Sequence, residues 1–155
     1  DLSQQMLNVG IDKIKKINLD QKISMQKGDA ENLPFEDNKF DAVSVAFGVR
    51  NFENLEKGLA ELRRVVKENS SVYILEFSKV EGFLAPFYMF YFKNILPQIG
   101  KLVSKDNRAY TYLPDSVNAF PFGEKMKQIL LETGYSKVEY KKLSLGIATI
   151  YKATK

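Results

Sequence analysis

The sequence predicts an α/β fold built on a parallel βαβ unit and closed by an antiparallel hairpin. Three observations carry this. Residues 40–47 (FDAVSVAF) form a mostly apolar, β-favouring run, as expected of a strand covered on both faces in a parallel sheet. A helix-period stretch over 55–67 leads into a second such run, 71–77 (SVYILEF), and strand, helix, strand in this order is a βαβ unit. Further on, 137–143 and 147–153 read as strands joined only by Ser144-Leu145-Gly146, a connection short enough to make them a hairpin.

The remaining elements follow in chain order. From Ser3 to about Asn18, Met6, Leu7, Val9, Ile11, Ile14 and Ile17 recur at spacings of three and four behind a good N-cap serine, which predicts an amphipathic helix. A short strand is expected over 22–27, ahead of Gly28-Asp29-Ala30-Glu31 and the turn-rich Leu33-Pro34-Phe35-Glu36-Asp37-Asn38. The 55–67 helix presents Leu59, Leu62, Val65 and Val66 on one side. After residue 78 an aromatic, helical insertion is expected over about 80–121. Glu124 to Thr133 is then an amphipathic helix stopped by Gly134.

At 155 residues, with 45% hydrophobic and 27% charged, the chain is expected to be one globular domain. It contains no Cys and no His. That excludes disulfides, thiol and Ser–His nucleophiles, and thiolate or imidazole metal sites, so no metal is expected. Proton handling must use Asp, Glu, Tyr, Lys or water. With no basic-then-apolar leader and no need of oxidative stapling, a cytoplasmic location is expected. Lys and Arg number 23 against 19 Asp and Glu, a net charge of +4; the basic residues are dispersed, as in Lys15-Lys16, Arg63-Arg64 and Lys141-Lys142, which argues against a nucleic-acid partner.

In an open parallel sheet, ligands bind beyond the carboxyl ends of the strands. The residues there are Gly28-Asp29-Ala30-Glu31, Ala46-Phe47-Gly48-Val49-Arg50-Asn51 and Glu76-Phe77-Ser78-Lys79. Together with Asn32-Leu33-Pro34-Phe35, Phe40-Asp41, Leu96-Pro97-Gln98-Ile99-Gly100 and Tyr110-Thr111-Tyr112-Leu113, these motifs resemble the S-adenosylmethionine-dependent C-methyltransferases of menaquinone and ubiquinone biosynthesis. GDAExLPF followed by FD marks the broad class; AFGVRN with LEFSK and YxYL is far more specific. The likeness runs essentially the whole length of the chain.

The resemblance implies a class I, Rossmann-like methyltransferase fold, S-adenosyl-L-methionine as cofactor and a prenylated quinol as substrate. It places Asp1 where an acidic residue accepts from the cofactor ribose hydroxyls. Asp29 and Ala30 match the pair beside the adenine, Ala46 lies near the methionine part, and Arg50 and Asn51 face the aromatic acceptor. Taken by themselves these residues allow plainer readings. Asp29 also suits a turn carboxylate, Arg50-Asn51 could cap the following helix or pair with Glu53, and Glu76, in an apolar strand, reads as a paired structural carboxylate.

The first two strands of that fold, with the Gly-rich turn and helix between them, have no counterpart here, so the chain is expected to represent the domain without its N-terminal cofactor-binding portion and to bind S-adenosylmethionine weakly or not at all by itself. With the usual strand order, the 22–27 strand would be left apart from the 40–47 strand, with unpaired edges that a homodimer could cover. In place of the family's Pro-Gly-Gly turn stands Lys67-Glu68-Asn69-Ser70-Ser71, where Asn69 can take a left-handed conformation.

The stretch Phe83 to Phe92 (FLAPFYMFYF) packs six Phe and Tyr into ten positions. Interrupted by Pro86, Lys93 and Pro97, it is too broken to span a bilayer. It reads either as a buried helix or as a lid on a prenyl chain that makes peripheral membrane contact. Beside the quinol C-methyltransferase, two alternatives stand at this point: a methyltransferase for another small phenol or sterol, and a non-catalytic lipid-binding or partner subunit.

Overall fold

A computed structural model of the chain describes residues 2–83, 85–95, 98 and 116–155. Its four-stranded sheet runs in the order β1-β2-β4-β3, with β1 Phe40–Ala46, β2 Val66–Phe77, β3 Lys137–Leu143 and β4 Ala148–Thr154. β1 and β2 are parallel, joined through helix α2 (Leu55–Val65). β4 then adds antiparallel to β2, and β3 antiparallel to β4. The βαβ unit and the hairpin are therefore both present, and the strands agree with expectation to within a few residues.

Local chemistry explains the boundaries. Helix α1 (Gln4–Lys16) starts at Ser3, whose hydroxyl accepts from the Met6 N–H at 3.3 Å. α2 starts at Asn54, whose side chain accepts from the Lys57 N–H at 3.0 Å, satisfying one of the donors left open at a helix start. α2 ends at Val65 because Val66 is already extended and paired with Phe40. Between that pair and Ala42↔Ser71 the register shifts, and Asn69 takes a φ of 60° in the bulged stretch, the left-handed geometry expected of it. Helix α4 (Glu124–Glu132) follows Gly123, whose φ of 60° with ψ of −128° is open only to glycine.

The core lies between α2, α4 and one face of the sheet. Leu59, Leu62, Val72, Ile74, Met126, Leu130, Tyr151 and Ala153 are all buried, with Val72, Ile74 and Glu76 alternating onto the same face of β2. Two buried tyrosines use their hydroxyls: Tyr135 donates to the Leu59 carbonyl at 3.0 Å, and Tyr151 accepts from the Gly123 N–H at 2.7 Å. Burial pushes the Tyr151 phenol up to about 12.

Two expectations are corrected. Residues 22–27 form no strand. A strand exists through its ladder, and no described strand lies beside this segment, so it remains irregular. β1 was expected to be covered on both faces, yet Asp41, Ala42, Ser44 and Ala46 are exposed and none of its residues is fully buried; among the described residues β1 has a partner on one edge only.

The aromatic segment forms a short helix, α3 (Ala85–Phe90), continued by a π-helical turn, Tyr91–Ile95. Phe83, Phe87 and Phe90 are 85%, 66% and 62% exposed, so among the described residues this stretch is not the buried helix of the plainer reading. No helix among the described residues is long and apolar enough to cross a membrane.

Candidate active site at the carboxyl ends of β1 and β2

β1 ends at Ala46, and Phe47 turns the chain with a φ of 55°. A left-handed Phe is uncommon and needs support from its surroundings. Here its N–H donates to the Leu75 carbonyl at 2.8 Å, and its ring lies 4.5 Å from that of Phe77. The turn lets a single 3-10 turn, Val49–Asn51, cross the end of β2.

That crossing sets Arg50 against Glu76. The Arg50 Nη1 donates to Glu76 Oε1 at 2.7 Å and to the Phe47 carbonyl at 2.7 Å, while the Arg50 backbone N–H donates to Glu76 Oε2 at 3.3 Å. Glu76 Oε1 also accepts from the Phe77 N–H at 2.9 Å. The side chains are 12% and 1% exposed, and the guanidinium carbon sits 5.5 Å from the centre of the Phe77 ring, a cation–π contact. Arg50 thus pairs with Glu76 rather than with Glu53, and Glu76 is the paired carboxylate its sequence context suggested. Arg50 Nε is buried without a hydrogen-bond partner among the described residues. A cleft of about 440 Å³ opens beside this group, lined by Val49, Arg50, Phe52, Leu55 and Phe120 among others. It combines apolar and aromatic walls with one cation.

The other candidate residues fall on the loop between α1 and β1. Asp29 is exposed, and its Oδ1 accepts from the Glu31 N–H at 2.9 Å. The Asn32 N–H donates to the Asp29 carbonyl at 3.1 Å, so Asp29 does hold a turn, as its plainer reading had it. Oδ2 takes no hydrogen bond from a described residue and is open to an amine donor; the neighbouring Ala30 is half-buried. The loop is tied to α2: Glu31 Oε1 accepts from the Asn54 N–H at 2.8 Å, and Glu61 Oε2 from the Leu33 N–H at 2.8 Å. Arg64 binds both Glu61 oxygens, through Nε at 2.7 Å and Nη2 at 2.8 Å. Hydrogen bonding from Arg64 holds the Glu61 carboxyl below the usual carboxylate range.

The structure therefore places Asp29 and Ala30 on one loop, and Ala46, Arg50 and Asn51 at the end of β1. Asp1 lies outside the described residues. Sequence reading gave Glu31 no role and missed Glu61 and Arg64. The only signal was the Glu61–Arg64 spacing of three on a helix, which is also that of an ordinary surface pair.

Comparison with known proteins agrees with this fold. The solved structure of a SAM-dependent methyltransferase from Aquifex aeolicus superposes with a TM-score of 0.62 at 19% identity, covering 99% of this chain and 65% of that one. The [4+2]-cyclase SpnF superposes with a TM-score of 0.73 at 15% identity over 99% of this chain and 64% of its own. At such identities the likeness is one of fold, and a cyclase among these neighbours shows how far function can vary on it. Closer in sequence, a demethylmenaquinone methyltransferase of Bacteroides fragilis is 47% identical over the whole chain, and one of Porphyromonas gingivalis 42%. The chain spans 64% of the length of each of these relatives. The ubiE/COQ5 methyltransferase family matches residues 1–155, and the chain belongs to that family.

Proposed function

We propose that the full-length protein methylates a ring carbon of a prenylated quinol in menaquinone or ubiquinone biosynthesis, with S-adenosyl-L-methionine as methyl donor. The observation that carries this reading is Arg50, held by a buried carboxylate at the edge of an apolar cleft, with its guanidinium only partly satisfied among the described residues. When bound, S-adenosylmethionine supplies an electrophilic methyl group.

The acceptor ring must be electron-rich at carbon, and a phenolate is a far better carbon nucleophile than a phenol. A guanidinium stays protonated and is no base. Its Nη1 is taken by Glu76 and Phe47 and its Nε is buried, which leaves Nη2, engaged by no described residue, to donate to the acceptor oxygen. From there Arg50 stabilises the phenolate and orients a water that accepts the phenol proton. Asn51, next in the same turn, hydrogen-bonds the same oxygen. After transfer the methylated carbon loses its own proton to water and the ring is aromatic again. The remaining task is placement in a dry cleft, which suits a chain without His.

On the cofactor side the donor set fits: a carboxylate with one open oxygen at Asp29 matches an exocyclic amine, and the small Ala30 and Ala46 leave room for the nucleoside and methionine parts. Asp1 would accept from the ribose hydroxyls. The exposed Phe83, Phe87 and Phe90, with the half-exposed Tyr91, are the surface by which we place the acceptor's tail and the membrane interface.

The test is Arg50→Lys, which keeps a cation for Glu76 but lacks the planar fork. In the full-length protein, turnover should fall by about 10²–10³-fold, with affinity for S-adenosylhomocysteine by calorimetry unchanged. Retained turnover, or loss of cofactor binding instead, overturns the assignment.

A further inference from the structure

We propose that Arg64, together with Glu61, is the positioning pair for the cofactor loop, setting Asp29 and Ala30 from the back of α2 without touching the ligand. This rests on the reading that Gly28 to Phe35 holds the adenine.

The loop makes few bonds of its own: the Asn32 N–H donates to the Asp29 carbonyl at 3.1 Å, the Phe35 N–H to the Leu33 carbonyl at 2.8 Å, and the Glu31 N–H to Asp29 Oδ1 at 2.9 Å. Its other half-buried peptide groups take partners from elsewhere. α2 supplies them. The Leu33 N–H donates to Glu61 Oε2 at 2.8 Å. The Leu33 carbonyl accepts from Arg64 Nη2 at 3.0 Å, and the Phe35 carbonyl from Arg64 Nη1 at 2.7 Å. The same Nη1 reaches Asp37 at 2.7 Å, while Nε and Nη2 form a two-pronged fork on Glu61.

All three guanidinium nitrogens are thus engaged in charge-assisted hydrogen bonds, the strong and directional kind. The carbonyls of two loop residues and the amide of one are held at fixed positions on a helix whose Leu59, Leu62 and Val65 are locked in the core. Asp29, four residues before Leu33, inherits that position. A lysine at 64 offers a point charge on a flexible stem and cannot reproduce the fork.

At the other end of α2 the loop's own Glu31 accepts from the Asn54 N–H at 2.8 Å. Asn54 caps α2 three residues after the Arg50-Asn51 turn. One helix therefore indexes both halves of the site, with the Arg64 end devoted to the cofactor half.

The experiment compares neighbouring arginines in the full-length protein. Arg63 donates through Nε to the Gly134 carbonyl at 2.9 Å, away from the loop, so Arg63→Gln is a structural control of the same chemistry. Arg64→Gln, Arg64→Lys and the milder Glu61→Gln are titrated with S-adenosylhomocysteine by calorimetry, well below each variant's melting temperature. Acceptor KM is measured at saturating cofactor. The proposal expects both Arg64 variants to weaken nucleoside binding about tenfold or more, the loss that one charge-assisted hydrogen bond can produce, with Glu61→Gln intermediate, acceptor KM unmoved and Arg63→Gln at the parent affinity.

If Arg64→Lys restores the affinity, or if binding and acceptor KM decline together with melting temperature, Arg64 is a fold residue and the proposal is wrong. Asp29→Asn separates the two levels. Weakened binding by Asp29→Asn with none by Arg64→Gln overturns the positioning role alone, and no effect of either overturns the adenine reading and this proposal with it.

Discussion

Two arginines hold the two halves of this site, and they are used in opposite ways. Arg64 is 30% exposed, and all of its guanidinium nitrogens are engaged by carboxylates and carbonyls of the same molecule. Arg50 is 12% exposed, yet of its guanidinium nitrogens only Nη1 finds partners among the described residues, and its Nε is buried with none. Burial alone would suggest the reverse, since a buried donor normally finds an acceptor. A guanidinium that the fold saturates is a fastener. One that the fold buries, neutralises with a single carboxylate and leaves incomplete is set to receive an oxygen from outside.

The largest test of that contrast is Glu76→Ala. It strands the Arg50 charge and frees the Arg50 and Phe77 amides, and breaking one side of a buried pair costs about 3–5 kcal/mol; chemical denaturation should show a loss of that size, and a value near zero would mean that the pair does not hold the turn. Replacing both partners, Arg50→Met with Glu76→Leu, sharpens the point. Buried pairs exchanged for apolar side chains are often neutral for stability, so the double variant should recover most of the loss in the same denaturation curves while turnover stays absent.

A smaller effect is expected at Asn54, which joins the two regions through its N–H to Glu31 and caps α2 through its side chain. Asn54→Ala should cost about 1 kcal/mol, read as a shifted denaturation midpoint.

The smallest is the pH dependence of the Arg64 side. The Glu61 carboxyl is lowered from its ordinary 4.5 by Arg64, so its contribution is complete above about pH 4.5 and fades as pH falls through the lower folded value. Stability followed against pH should decline there in the parent and decline less in Glu61→Gln. Equal slopes would show that Glu61 carries no linkage.

Much of the fold was legible because it is written locally. Ser3 and the spacing of Met6 to Ile17 specify α1, Leu59, Leu62 and Val65 specify the inner side of α2, and the four residues between β3 and β4 leave no connection but a hairpin. Residues 22–27 misled because β-propensity does not supply a neighbour, and FDAVSVAF because an apolar strand's composition does not say how many faces are covered. In the site, Arg50 and Glu76 were each visible as residues of interest, but they are 26 apart in sequence. Their pairing depends on the left-handed turn at Phe47, which no glycine announces. Glu61 and Arg64 carried no distinguishing mark at all, because what they do is decided by a loop about thirty residues earlier.

The place of β2 in the sheet has a consequence for how the chain acquires its structure. Its first partner, β1, is nearby and reached through α2, whereas its second arrives late: Ser78 meets Thr149 across a separation of 71 residues. Closing so long a loop is slow relative to forming the local crossover. β2 should therefore spend part of folding as a provisional edge, with Ser71 to Leu75 hydrogen-bonded on one side only. Pulsed hydrogen exchange is expected to show the β1–β2 amides protected before those shared with β4, and until that second zipper closes, this strand is where the nascent molecule is most open to pairing with another chain.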